Sequence, residues 1–209
     1  MNSIENYRKR DERLEHEVGN WLDKHFYNRT KNVKVERVKD KTRQCKGIDV
    51  LVGSTKVDEK LKICGLLNSV IEFPSFEVMR IDRSGNYSEG WFIDSRNETE
   101  YYAFLSVFST ASSEDLVKES NITKVIYLLV KKSEVSEAIM KSNRKLMNDA
   151  EELIYDQTEE RMRYFHSAWL KISRHLKEAP VNLVVKRSFL KTLPHTKELE
   201  ITKEKVSKL

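Results

Sequence analysis

Apolar positions recur at two periods along the chain, and the change of period marks the elements. Over 11–28, Leu14, Val18, Trp21, Leu22 and Phe26 repeat every three or four residues, which predicts a helix with one apolar face. From 33 to 38 the period drops to two, in Val-Lys-Val-Glu-Arg-Val, and predicts a strand. A charged loop over 39–46 follows. Two more strands are expected over 47–52 and 56–63, joined at Gly53-Ser54. Residues 75–81 alternate again, Ser84-Gly85-Asn86 is a turn signal, and short and long aromatic strands are expected over 91–94 and 101–108. The run over 123–130, containing Val-Ile-Tyr-Leu-Leu-Val, is the most apolar in the chain and predicts a central strand.

Beyond it, residues 133–148 predict a helix with Val135, Ile139 and Met140 inward and Lys141, Arg144 and Lys145 outward. Residues 149–156 continue it or start another. The stretch 159–176 fits two descriptions: Phe165, Trp169, Ile172 and Leu176 have helical spacing, yet strand-favouring residues are common. Pro180 ends it, 181–185 is a strand, and the polar tail over 195–209 is expected to fray.

Composition narrows the class. The 209 residues suit one domain with a real core; 39% are hydrophobic and 34% charged. Mean hydropathy is -0.62, and no apolar run nears the ~18 residues of a membrane span. Residues 1–6 lack the apolar core of a secretory signal, so a cytoplasmic protein is expected. The net charge of +5 and pI of about 9.0 are compatible with a polyanionic partner without demanding one. Cys45 and Cys64 have no metal-ligand spacing, the five histidines are scattered, and neither a phosphate-binding glycine loop nor a serine elbow is present.

One stretch carries chemistry. On a strand, Asp58 and Lys60 share a face and Glu59 takes the other. If the strand over 47–52 is the hairpin partner, Asp49 lies beside Asp58. Two carboxylates and an ammonium then converge, an arrangement suited to a hard divalent cation and the water it polarises.

The sequence Gln44-Cys45-Lys46-Gly47-Ile48-Asp49, followed by Val57-Asp58-Glu59-Lys60, resembles the PD-(D/E)XK nucleases, the restriction-endonuclease-like superfamily. No Pro precedes Asp49 here. The middle of the chain is similar to a subset of that family through Phe73 to Glu77, Gly90-Trp91 and Tyr101-Tyr102. The likeness spans about 10–130 and is strongest over 44–92. It implies an α/β fold: a restriction-endonuclease-like mixed β-sheet flanked by helices in αβββαβ order, with extra strands and C-terminal helical and strand additions. The domain would be single over 1–209, with its core at about 10–130 and an extension over about 131–209.

The resemblance further implies a Mg²⁺-dependent deoxyribonuclease, with Mn²⁺ a substitute. Asp49, Asp58 and Lys60 would be catalytic, and Asp49, Asp58 and Glu17 would hold the metal, with Glu15 the alternative to Glu17. Gln44, Arg43, Lys46 and Lys41 would contact DNA, with Lys39, Lys186 and Arg187 further basic candidates. The Gln44 amide either meets a phosphate or a metal-bound water, or ties the loop to its own backbone. Glu77 either faces the site or pairs with Arg80. Trp91, Tyr101 and Tyr102 either stack on unpaired bases or pack in the core. A homodimer would suit double-strand cutting, though nothing in the sequence demands one. The alternative function is a catalytically silent nuclease-fold protein that binds nucleic acid or acts as an interaction module.

Overall fold

The computed structural model describes residues 3–30, 33–64, 69–81, 84–139, 143–156, 161–165, 167–174, 176 and 178–209, and the side chains of these except 3–8, 143 and 162–165. In chain order the elements are α1 (Ser3–His25), β1 (Val35–Arg37), α2 (Lys41–Gln44), β2 (Val50–Val52), β3 (Thr55–Ile63), β4 (Ser75–Ile81), β5 (Tyr87–Glu89), β6 (Tyr101–Ser109) and β7 (Ile122–Lys131). There follow α3 (Lys132–Ile139), α4 (Asn143–Tyr155), β8 (Arg161–Phe165), β9 (Ala168–Ile172), β10 (Val181–Val185), α5 (Arg187–Leu190), β11 (Lys197–Thr202) and β12 (Val206–Lys208).

The protein is a mixed α/β fold. Among the described residues, seven strands form one sheet in the order β1-β2-β3-β6-β7-β11-β12, and five form another in the order β5-β4-β10-β9-β8. In the larger sheet β3 and β6 run parallel and every other neighbour pair is antiparallel. The apolar stripe of α1 covers one face of this sheet: Leu14, Val18, Trp21 and Leu22 pack with Val50, Val57, Ala103, Leu105 and Tyr127. The opposite face meets the smaller sheet, α3 and α4. There Phe76 places its ring 5.2 Å from Tyr102 and 5.3 Å from Phe104, edge-on to both. Both faces of β6 are therefore buried, and the sheet centre is the β6–β7 pair. No helix among the described residues is long and apolar enough to cross a membrane.

The helix and three strands that open the chain appear in the expected order, and β4 and β10 span the residues expected of them. Between β3 and β6, where αβββαβ order calls for a helix, the described residues form β4 and β5 of the second sheet. The division at about 130 has no counterpart in the pairing: β10 bonds to β4 and β11 to β7, so the C-terminal third completes both sheets.

Three further expectations are corrected, and one that was open is settled. Residues 91–94 form a turn, because Phe92 N donates to Glu77 O and Asp94 N to Gly90 O. The ambiguous stretch is the β8–β9 pair, its strand-favouring residues outweighing the helical spacing. The helix expected over 133–148 is two, α3 and α4; Val135 and Ile139 face inward as expected, while Met140 and Lys141 lie outside the described residues. The tail does not fray, because Lys197–Thr202 pairs with β7 and seats Ile201 in the core.

Candidate active site

The β2–β3 hairpin pairs Val50 with Val57 and Val52 with Thr55, which sets Asp49 opposite Asp58. Asp49 closes the ladder with both backbone and side chain: its N–H donates to Val57 O at 2.9 Å, and its Oδ2 accepts Glu59 N–H at 2.8 Å. The loop before it is fixed from below. Gly47 has a φ of 75°, and a Cβ there would lie 2.3 Å from the Asn97 amide and 2.4 Å from Thr99 Oγ1. Thr99 Oγ1 donates to Gly47 O at 2.6 Å, and Glu98 N to Lys46 O at 2.8 Å. The segment before β6 thus sets the height at which Asp49 enters the sheet.

Asp58 is 3% exposed, and Lys60 Nζ lies 2.8 Å from its Oδ1. Glu59 turns the other way, beneath α1, where its carboxylate accepts Tyr27 Oη at 2.7 Å and Arg37 Nη1 at 2.7 Å. The expected division of the triplet therefore holds in the geometry: Asp58 and Lys60 on one face, Glu59 on the other. Burial and the neighbouring Asp58 charge push the Asp49 carboxyl up to about 7, against the pull of Lys60. Burial works against the Lys60 ammonium, but Asp58, Asp49 and Glu15 outweigh it and hold its pKa above the ordinary value.

Helix α1 supplies a third carboxylate, and it is Glu15. Burial and the Asp49 charge raise the Glu15 carboxyl, while Lys60 lowers it. Glu15, Asp49 and Lys60 line one cleft of about 380 Å³ between α1 and β3. Glu17 faces the other side of the helix, where its Oε2 accepts Glu119 N at 2.6 Å. Arg13, one turn earlier, donates to the carbonyls of Val117 and Glu114. Glu17 thus helps dock α1 and does not reach the hairpin.

Several basic and polar candidates are occupied elsewhere. Gln44 Nε2 donates to Val38 O at 3.0 Å, tying the loop to its own backbone. Lys46 and Lys56 both bind Glu98, and these hydrogen bonds pull its carboxyl down to about 2. Arg43 reaches Glu36 at 3.7 Å in an exposed pair. Arg187 is 4% exposed and bound to Glu198, so it cannot track a nucleic-acid backbone. Lys39 and Lys41 line a groove of about 640 Å³ that also contains Glu15 and Asp49.

The far side of Asp58 holds Tyr102 and also Lys132, which the sequence did not single out. Among the described residues the Tyr102 hydroxyl is buried with no hydrogen-bond partner, and burial, with the charges of Asp58 and Glu77, holds its proton on. Lys132 donates to Asn97 Oδ1 at 3.1 Å; burial lowers its ammonium pKa, and Asp94 and Asp58 partly restore it. Glu77 pairs with Arg80 at 3.7 Å, and Arg80 lies over the Trp91 ring at 5.1 Å. Tyr102 is a core residue. The only sequence signal for this layer was the spacing of Glu77, Trp91 and Tyr102.

Asp49 and Asp58 are hard oxygen donors set beside each other, with Glu15 in electrostatic reach. Such a set fits Mg²⁺ or Mn²⁺, which take carboxylate oxygen and retain waters. Among the described residues, no group of three or more His, Cys, Asp or Glu side chains is arranged to hold a metal ion. Comparison with protein families, curated proteins and solved structures yielded no match.

Proposed function

We propose that the chain is a Mg²⁺-dependent nuclease of the PD-(D/E)XK type, hydrolysing phosphodiester bonds in DNA. The observation that carries this reading is the paired Asp49 and Asp58 with the Lys60 ammonium 2.8 Å from Asp58. Burial and the adjacent Asp58 charge let Asp49, at the edge of the cleft, keep its proton to near neutral pH, and the carboxylate pair is short of one positive charge. A bound Mg²⁺ would supply that charge, screen the phosphodiester and acidify a coordinated water.

The chain's own residues divide the remaining work. Asp49 and Asp58 hold the cation. Lys60, charged at neutral pH because its pKa is raised, orients the attacking water and stabilises negative charge building on the phosphoryl oxygens. A lysine so strongly protonated is a donor and not a base. Glu15, an exposed carboxylate across the cleft whose pKa is raised, takes the proton. Lys39 and Lys41 offer the duplex backbone two charges along the groove that leads to Asp49.

Incubation of single-stranded, duplex and branched DNA with Mg²⁺ or Mn²⁺ tests this, using wild type and Asp58→Ala. Cleavage by wild type alone is expected. A second reading, binding without cleavage, draws on the closed Asp58–Lys60 contact and the absence of a third close ligand among the described residues. It predicts that both proteins bind and neither cuts. If neither protein binds nor cuts any of the three substrates, both readings fail.

A further inference from the structure

Lys60 borders two clefts. The polar one, toward α1, contains Asp49 and Glu15. The other, of about 470 Å³, opens toward the smaller sheet; it shares Lys60, Leu61 and Lys62 with the first and is walled by Ile71, Phe73, Pro74 and Phe104. Its character is different: aromatic and aliphatic walls, with Lys60 and Lys62 against one exposed carboxylate, Glu72, along the rim. Phe73 is 53% exposed, a large apolar ring left in solvent beside a charged site.

The ring is not on a loose loop. Arg187 Nη1 donates to Ile71 O at 3.1 Å, Arg187 N to Glu72 O at 2.8 Å, and Val185 N to Pro74 O at 2.9 Å. Arg187 is itself buried and locked to Glu198. The Trp169 ring backs Phe73 at 5.3 Å in an edge-on contact. The wall is therefore preformed, and a planar ligand that stacks on it would not have to order it first.

We propose that this second cleft takes an unpaired nucleobase of the DNA strand whose phosphate lies at Lys60, with Phe73 as the stacking platform. The inference rests on the nuclease reading and specifies its substrate: a strand with at least one unpaired nucleotide beside the scissile phosphate. Continuity through Lys60 places sugar-phosphate and base in adjoining clefts. The lysine rim matches the strand's charge, and an aromatic face accepts any base without reading its edge. A fully paired duplex would keep its bases stacked and leave the cleft empty.

Fluorescence anisotropy in EDTA, where no cleavage occurs, separates the possibilities. The probes are an oligonucleotide single strand and the blunt duplex of the same sequence. The proteins are wild type, Phe73→Leu, which keeps an apolar contact to Trp169 but has no π-face, and Phe73→Tyr, which keeps the face. Wild type and Phe73→Tyr are expected to bind the single strand roughly tenfold more tightly than Phe73→Leu does, with duplex affinity unchanged. A 2-aminopurine in the strand is expected to lose fluorescence with the first two proteins only. Equal single-strand binding by all three, or equal losses on single strand and duplex, overturns the base cleft. Mg²⁺-dependent cleavage that Asp58→Ala abolishes would in that event leave the nuclease reading standing. Failure of wild type to bind or cut any DNA overturns both.

Discussion

Removing the charge of Asp49 should stabilise the protein, because the site is built at the expense of the fold. The carboxyl is lifted from 3.8 to about 7 by burial and by the Asp58 charge. A folded-state pKa above the unfolded one means that the folded chain binds the proton more tightly. The associated stability is complete below about pH 4 and is lost as pH rises through about 7. Three units at about 1.4 kcal/mol each set a ceiling near 4 kcal/mol, and water entering the open cleft brings this to roughly 2–3 kcal/mol. Asp49→Asn deletes the titration while leaving an oxygen to accept Glu59 N–H. Thermal melts of the metal-free proteins should coincide near about pH 4 and separate as pH rises, the variant melting roughly 5–10 °C higher by about pH 8. Glu77, whose carboxyl is also raised, is present in both proteins and drops out of the difference, whereas Glu15, raised by burial and in part by the Asp49 charge, is relieved in the variant and adds to the separation. Added Mg²⁺ should raise the wild-type midpoint at the higher pH and leave the variant where it was. Parallel pH curves for the two proteins would refute the argument, since they would mean that Asp49 is ionised in the fold at no cost.

Glu15→Gln is expected to slow cleavage at least tenfold by the general-base argument, with little change in melting temperature. Glu17→Gln should lower the melting temperature, because it weakens the contact to Glu119 N that docks α1, and should slow cleavage less than Glu15→Gln does; comparison of initial rates and melts for the pair decides between them. Gly90→Ala would place a Cβ 2.5 Å from the Glu77 carbonyl oxygen, a backbone atom that cannot swing aside. A loss of about 2–3 kcal/mol in chemical denaturation is expected, and a near-neutral result would mean that the turn after β5 is looser than the geometry indicates.

Strand period was enough to read the hairpin. A period of two leaves no freedom in which face Asp58, Glu59 and Lys60 occupy, and cross-strand register follows from a two-residue turn. The sheet beyond it was only partly legible. The apolar run of β7 could be read as a central strand because both its faces are buried. That β3 and β6 are joined through a second sheet depends on β10 returning from about a hundred residues later to pair with β4, and no local pattern carries that information. The tail was misread for a related reason: the Lys197–Thr202 segment is polar at alternate positions, and only the β7 edge gives its backbone a partner.

The choice between Glu15 and Glu17 was undecidable in sequence on geometric grounds. At about 100° per residue, the two flank the stripe of Leu14, Val18, Trp21 and Leu22 on opposite edges, so either edge could face the hairpin. What decides it is the docking of α1: Arg13 and Glu17 grip the segment 114–119, which turns the opposite edge, with Glu15, toward Asp49 and Lys60. The residue that docks the helix thereby selects the residue that serves the site. A variant that breaks the docking, such as Arg13→Ala, should therefore act on catalysis through Glu15 without touching the hairpin. In a double-mutant cycle its effect on rate should largely vanish in the Glu15→Gln background, whereas additive losses would show that α1 orientation and the Glu15 carboxylate act independently.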